Sequence, residues 1–187
     1  MALSIKPYIE NKERIHLIGI GGVSMNSLGE LLLSRGVPVS GSDRLRTDVT
    51  ARLEALGAKI TYEHKPENVE GASLIVRTAA VHDDNPEIVR AHELGIPVME
   101  RAEAWGHLMR DYDNVVCLAG THGKTTSTSM MTLMTMEAQM DPTVMVGSNL
   151  PSAVRSVSAA RAVLWLKAAN TAIRSCALHR PLRLSSM

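Results

Sequence analysis

A loop built to wrap an anion lies in the second half of the chain and constrains the fold more than any other stretch. Gly120-Thr121-His122-Gly123-Lys124-Thr125-Thr126 follows the apolar run Val115-Val116-Cys117-Leu118 and precedes a Met- and Thr-rich segment of helical length. Strand, tight loop and helix start turn successive backbone N–H groups inward around a phosphate, with the positive end of the helix dipole behind them. Gly120 and Gly123 permit the turn, and Lys124 is expected to reach the terminal phosphates of ATP. Thr125 is expected to offer its hydroxyl to Mg²⁺, with Thr121 and Thr126 completing the nucleotide-binding set. The common spacing G-x-x-x-x-G-K-[ST] places a glycine at 118, where this chain has Leu118, so the loop is a shorter variety.

A second glycine loop lies upstream. Ile15-His16-Leu17-Ile18-Gly19-Ile20 has a buried-strand pattern running into Gly21-Gly22-Val23-Ser24-Met25, and Ser27 to Arg35 has apolar residues at helical spacing, closed by Gly36. Such a loop lets the backbone approach a pyrophosphate at the helix start, so Gly21, Gly22, Val23 and Ser24 are candidate ligand contacts. Asp43, after the strand Val37 to Gly41, stands where a ribose-binding acid is expected. Ser24 takes the place of the third glycine in G-x-G-x-x-G; the plainer alternative is a glycine turn beside a helix-capping aspartate.

Alternation continues with a helix from Val49 to Leu56 and strands at Ala58 to Tyr62 and Ser73 to Arg77. A helix opened by Asn85-Pro86-Glu87 and running through Leu94, a strand at Ile96 to Met99 and a helix from Arg101 to Met109 follow. This order predicts an α/β fold: a Rossmann-like parallel sheet domain, covered on both faces, followed by the start of a P-loop ATPase domain. The polar break Arg110 to Asn114 divides residues 1–109 from 110–151, and a change of composition sets residues 152–187 apart. Ligands are expected at the carboxyl ends of the strands. The loop Arg77 to Asn85 is such an end, so Thr78 and His82 are candidates, although an exposed histidine in a polar loop can equally be idle. Met130, Met131, Met134 and Met136 are read as core packing.

A net charge of +1 gives no case for a nucleic-acid partner. With two Trp, three Tyr and no Phe, aliphatic residues and the eleven Met must fill the interior. Cys117 and Cys176 make no disulfide framework, which suits a reducing compartment. No segment approaches the ~20 apolar residues of a membrane helix, and the charged stretch Met1 to His16 lacks a signal-peptide run, so a cytoplasmic location is expected.

With both loops in place the chain resembles the Mur ligase family over roughly residues 14 to 151. The residues that carry the resemblance are His16 to Met25, Gly41-Ser42-Asp43, Asn85-Pro86-Glu87, Gly120 to Thr126 and Asp141-Pro142-Thr143-Val144-Met145-Val146-Gly147. His122 points to the branch adding L-alanine to UDP-N-acetylmuramate or to the related muropeptide-recycling ligases, where sister enzymes usually show Asn. The resemblance implies ATP and Mg²⁺ as cofactors, an acyl-phosphate route and a role in peptidoglycan synthesis. It also implies the UDP diphosphate at Gly21 to Ser24, the nucleoside by Asp43, catalytic work by Lys124 and His122 with His122 near the muramoyl group, and two domains beyond the first. A UDP-sugar-binding module without catalysis and an NAD-dependent oxidoreductase are the alternatives from other classes; the second leaves residues 120–126 unexplained. Nothing in the sequence fixes the oligomeric state.

The tail departs from the family. Residues 152–187 hold six Arg and Lys and no Asp or Glu, leaving 14 basic against 19 acidic residues in the first 151. One reading is a basic, Ala-rich helix over Ala153 to Ala172. A second is a shift of reading frame near Pro151. Codons for Leu166 to Ser175 read two bases later can give Glu-Gly-Ser-Glu-Tyr-Cys-Asn-Ser-Phe-Leu, which looks like the family's acidic segment. On that reading the chain is truncated and inactive alone.

Overall fold

The computed structural model describes residues 3–112, 114–118, 121–140, 142–145 and, for their backbone, 163–167. Two compact units divide between His107 and Leu108.

In the first unit, the short helix α1 (Lys6–Glu10) leads to strand β1 (Ile15–Ile18), helix α2 (Val23–Ser34) and strand β2 (Val39–Ser42). Helix α3 (Asp48–Ala55), strand β3 (Lys59–Thr61), a 3-10 turn (Pro66–Val69) and strand β4 (Leu74–Arg77) follow, then helix α4 (Pro86–Glu93), strand β5 (Val98–Glu100) and helix α5 (Arg101–Met109). The five strands are parallel in the order β3-β2-β1-β4-β5, so the chain reverses its direction of travel across the sheet at β1. This α/β arrangement is the one the alternation predicts, with ends shifted by at most four residues. The largest shift is at α2, which begins at Val23 rather than Ser27. The 3-10 turn and α1 have no sequence-level signal beyond Pro66 and Pro7.

Every residue of β1 is buried, as a central parallel strand covered on both faces requires. Its alternating side chains divide the core. Leu17 meets α2 at Gly29, close to Leu53 of α3. Ile18 packs on the opposite face with Val69, Ile75 and the α4 residues Ile88 and Ala91. Helix starts follow local chemistry. Thr47 caps α3 through a reciprocal bond with Thr50, and the Asn85 side chain accepts from the Glu87 backbone N–H with Pro86 at the first position of α4.

In the second unit, strand β6 (Asn114–Leu118), helix α6 (Lys124–Glu137), strand β7 (Thr143–Met145) and strand β8 (Val163–Lys167) form a parallel sheet ordered β6-β8-β7. β8 pairs Val163 with Asn114 on one side and Leu164 with Thr143 on the other. Residues 163–167 of the tail are therefore strand rather than helix, because inserting between β6 and β7 gives their backbone ladder bonds on both sides. The rest of 152–187 lies outside the described residues, as do Val146 and Gly147.

Val144 packs with Val116, Leu118 and Met131, so Met131 does fill a core. Met130 and Met134 do not: they are exposed, while Thr128, Thr132 and Thr135 form the buried face of α6. Each of these hydroxyls donates to a carbonyl oxygen one turn back, at Lys124, Thr128 and Met131, which lets a threonine be buried without an unsatisfied group. Cys117 is disulfide-bonded, contrary to the reading of unlinked thiols.

Candidate functional site

The sheet register sets the site. Ile18 of β1 pairs with Ser42 of β2 and with Arg77 of β4, Ser42 pairs with Thr61 of β3, and Arg77 with Glu100 of β5. The residues that follow, Gly19, Asp43, Thr78, Tyr62 and Arg101, share one level at the carboxyl ends of the strands. In a doubly wound sheet this end, at the strand where the order reverses, is the crevice for ligands.

The loop after β1 is held from its neighbour. The Gly19 and Ile20 backbone N–H groups donate to the Ser42 carbonyl oxygen at 2.8 and 3.1 Å, and the Gly21 N–H donates to Asp43 Oδ2 at 2.8 Å. Asp43 Oδ1 accepts from the Arg44 and Leu45 backbone N–H groups at 2.7 and 3.3 Å. The carboxylate thus fastens the glycine loop to the loop after β2. A Cβ at Gly21 would lie 2.8 Å from that same Oδ2 and 3.2 Å from Thr50 Cγ2, so the approach demands glycine. Gly41 is equally bound by space: a Cβ there would lie 2.7 Å from Ile20 Cδ1 and 2.8 Å from the Leu17 carbonyl oxygen.

Helix α2 begins at Val23 behind Gly22 with no side-chain cap, the condition in which a helix start can take an anion. The Trp105 indole Nε1 donates to the Ser24 carbonyl oxygen at 3.2 Å, which ties α5 to this helix start. Val23 and Leu45 stand exposed beside the Asp43 bridge. Thr78 lies under Gly19, its Cγ2 3.9 Å from where a Cβ would be, and the loop beyond it is pinned by Arg77, which donates to the Val81 carbonyl oxygen and pairs with Asp83. His82 is exposed in that loop.

Beneath the site lies a buried polar network that sequence reasoning missed. The Glu87 carboxylate, fully buried at the start of α4, accepts four hydrogen bonds. At Oε1 the donors are His16 Nε2 at 3.3 Å and Asn68 Nδ2 at 2.7 Å; at Oε2 they are Ser42 Oγ at 2.7 Å and His64 Nδ1 at 2.8 Å. His16 Nδ1 in turn bonds Ser40 Oγ at 2.9 Å. Burial pushes the Glu87 carboxyl up, and the four bonds, from His16, Asn68, Ser42 and His64, outweigh it and hold the group below the ordinary glutamate range. Ser42 links this network to the ligand end, since its hydroxyl serves Glu87 and its carbonyl serves Gly19 and Ile20. His16 was legible only as the one polar residue in an apolar strand, and Glu87 only as a helix opener.

In the second unit Gly123 takes a left-handed φ of 75° as the residue before α6, again with no side-chain cap. The Lys124 ammonium donates to the Thr121 carbonyl oxygen at 3.1 Å, and Thr125 occupies the first turn of the helix. Thr121, His122 and Thr126 are exposed. Gly120 lies outside the described residues. The arrangement suits a phosphate. For Mg²⁺ the described residues bring together no group of three His, Cys, Asp or Glu side chains, so Thr125 would share the ion with phosphate oxygens and water. The site residues of the first unit, Gly21, Gly22, Val23, Ser24, Asp43 and Thr78, come together at one end of one sheet, whereas Lys124, Thr125 and their neighbours belong to the second unit.

Comparison with known proteins gives a consistent picture. The model of the Mur ligase family, catalytic domain, matches residues 14–113. A UDP-N-acetylmuramate--L-alanine ligase of Clostridium novyi is 48% identical over 141 residues, which cover 75% of this chain and 31% of that protein. One from Alkaliphilus metalliredigens is 47% identical over 138 residues, 74% of this chain and 30% of the relative. Among solved structures, UDP-N-acetylmuramate-alanine ligase from Thermotoga maritima superposes with a TM-score of 0.76 at 33% identity, covering 83% of this chain and 37% of that one. A ligase from Neisseria meningitides, at 24% identity and a TM-score of 0.72, shares the fold. The chain spans about a third of the length of the curated relatives it matches.

Proposed function

The chain belongs to the Mur ligase family, and we propose that residues 1–109 bind the uridine diphosphate part of UDP-N-acetylmuramate while residues 110–151 carry the phosphate loop for ATP. The single observation behind the first half is the glycine loop after β1, drawn onto Asp43 at the strand where the sheet reverses. Backbone N–H groups of Gly21 to Ser24 take the diphosphate. Asp43, already engaged with three N–H groups, acts chiefly by fixing the loop and the rim on which the nucleoside rests. Exposed Val23 and Leu45 offer apolar surface to the base, and Thr78 and His82 border the sugar.

For the longer family protein the proposed reaction is ATP-dependent ligation of L-alanine in cytoplasmic peptidoglycan precursor synthesis. Bound ATP with Mg²⁺ would supply a phosphoryl group to the muramoyl carboxylate, giving an acyl phosphate that the alanine amine attacks, with release of ADP and phosphate. In that reaction Lys124 would neutralise charge on the phosphates, Thr125 would contribute one oxygen to Mg²⁺, and His122 would serve the muramoyl group. Residues 152–187 contain no acid to share the metal, in keeping with a shifted reading frame that resequencing of the coding DNA would reveal.

Calorimetry tests the reading directly. UDP-N-acetylmuramate should bind the 187-residue chain and be displaced by UDP but not by NAD. Lys124→Met should lower ATP affinity at least about tenfold, the worth of one charge-assisted contact, without changing UDP affinity. Displacement by NAD in place of UDP, or phosphate release by the chain alone with UDP-N-acetylmuramate, L-alanine and ATP at ordinary enzymatic rates, would overturn it.

A further inference from the structure

Arg101 stands at the carboxyl end of β5, on the level that the register gives to Gly19, Asp43 and Thr78. It is partly buried, its Nε is fully shielded from solvent, and that atom has no hydrogen-bond partner among the described residues. Neither neighbouring acid compensates it. Glu100 and Glu103 are exposed, and Glu103 Oε2 accepts from the Glu100 backbone N–H at 3.4 Å. Burial alone lowers the guanidinium pKa. A shielded N–H without an acceptor is destabilising, and more so on a charged group. A cation kept in that condition at the ligand end of a sheet fits an anion that arrives from outside the chain.

The geometry also says which anion. Trp105 lies one helical turn beyond Arg101, on the same face of α5, and bonds the Ser24 carbonyl oxygen at the start of α2. The face of α5 that carries Arg101 therefore runs along the helix start where the glycine loop opens. β5 is two strands from β1, roughly 10 Å at the usual strand spacing, a gap that a guanidinium and a phosphate can span between them. Arg14 also has a buried Nε without a partner, but it precedes β1 at the amino ends of the strands, against Gly71.

We infer that Arg101 is a ligand-binding residue for the diphosphate of the nucleotide substrate, closing on the phosphates from the β5 side while the glycine loop holds them from β1. This rests on the reading of the first unit as a UDP site. The planar fork of arginine can give two N–H donors to one phosphate, which lysine cannot reproduce.

The experiment is calorimetric titration of the full 187-residue chain and its Arg101→Ala and Arg101→Lys variants with UDP and with uridine. Arg101→Ala should weaken UDP about 10- to 100-fold and Arg101→Lys by less, with uridine changed under twofold in both. UDP affinity within twofold of the parent chain, or equal losses for UDP and uridine, would overturn the assignment, the second outcome marking a structural role. If the variants do not fold, the Arg101 Nε–H resonance of the parent chain must shift on adding UDP and stay in place with uridine; no shift overturns it. Failure of the parent chain to bind UDP would sink the reading of the site, whereas UDP binding untouched by the Arg101 variants would sink this inference only.

Discussion

Replacing Glu87 by Gln tests whether the buried network supports the ligand end of the first unit. Glutamine keeps the shape but offers one acceptor oxygen in place of two. Whichever way the amide turns, it faces one fully buried donor, His16 or Ser42, and one partly exposed donor, Asn68 or His64, with an NH₂ group. A buried donor left without an acceptor costs about 1–3 kcal/mol, and the two surviving bonds lose their charge assistance at roughly 0.5–1 kcal/mol each. The expected loss is about 2–5 kcal/mol. For a domain of this size a mid-range loss lowers the melting temperature by roughly 14–28 °C. Urea unfolding followed by the fluorescence of Trp105, in a Trp165→Phe background, isolates the first unit. The gap should depend on pH with a definite sign. The folded-state carboxyl is held below its unfolded value, so its contribution is present above about pH 4.3 and fades as pH falls through the folded value. The parent chain should therefore lose stability in that acid window and converge on the variant. A gap under about 1 kcal/mol at pH 7, or one that stays constant down to pH 3, would refute the assignment of stability to this carboxylate.

Two further changes probe the loop itself. Gly41→Ala forces a methyl group against Ile20 and the Leu17 carbonyl oxygen and should cost about 2–4 kcal/mol, read in the same unfolding assay; a cost under about 0.5 kcal/mol would mean that β2 can shift freely. Asp43→Ala removes the acceptor for the Gly21, Arg44 and Leu45 N–H groups, and should weaken UDP binding about tenfold while Asp43→Asn, which keeps one acceptor, weakens it less. Equal affinity across the three proteins would show that the loop holds its shape without the bridge.

The sequence by itself determined the α/β order, because apolar runs, helical spacing and Gly or Pro punctuation act within a few residues of where they stand. It also determined the family, through His16 to Met25, Gly41-Ser42-Asp43, Asn85-Pro86-Glu87, Gly120 to Thr126 and Asp141 to Gly147 taken together. Local rules were weaker where a segment's fate depends on distant neighbours. Residues 163–167 show no decisive period of their own and became a strand because β6 and β7 offered ladder partners on both sides. Met130 and Met134 came to lie outside because the threonines of α6 could satisfy their hydroxyls one turn back.

The site divides in the same way. Gly21, Ser24 and Asp43 were legible as candidates, but Asp43's bond to Gly21 spans 22 residues and exists only because β1 and β2 are paired in register. Glu87 is 71 residues from His16, and Arg101 shares a level with Gly19 only through β4 and β5. Short-range chemistry fixed which elements form and where the glycine loops fall between them. Only the tertiary structure brought a carboxylate, two imidazoles and a guanidinium to the positions where each needs a partner, because burial and hydrogen bonding between strands far apart in sequence are decided when the sheet closes.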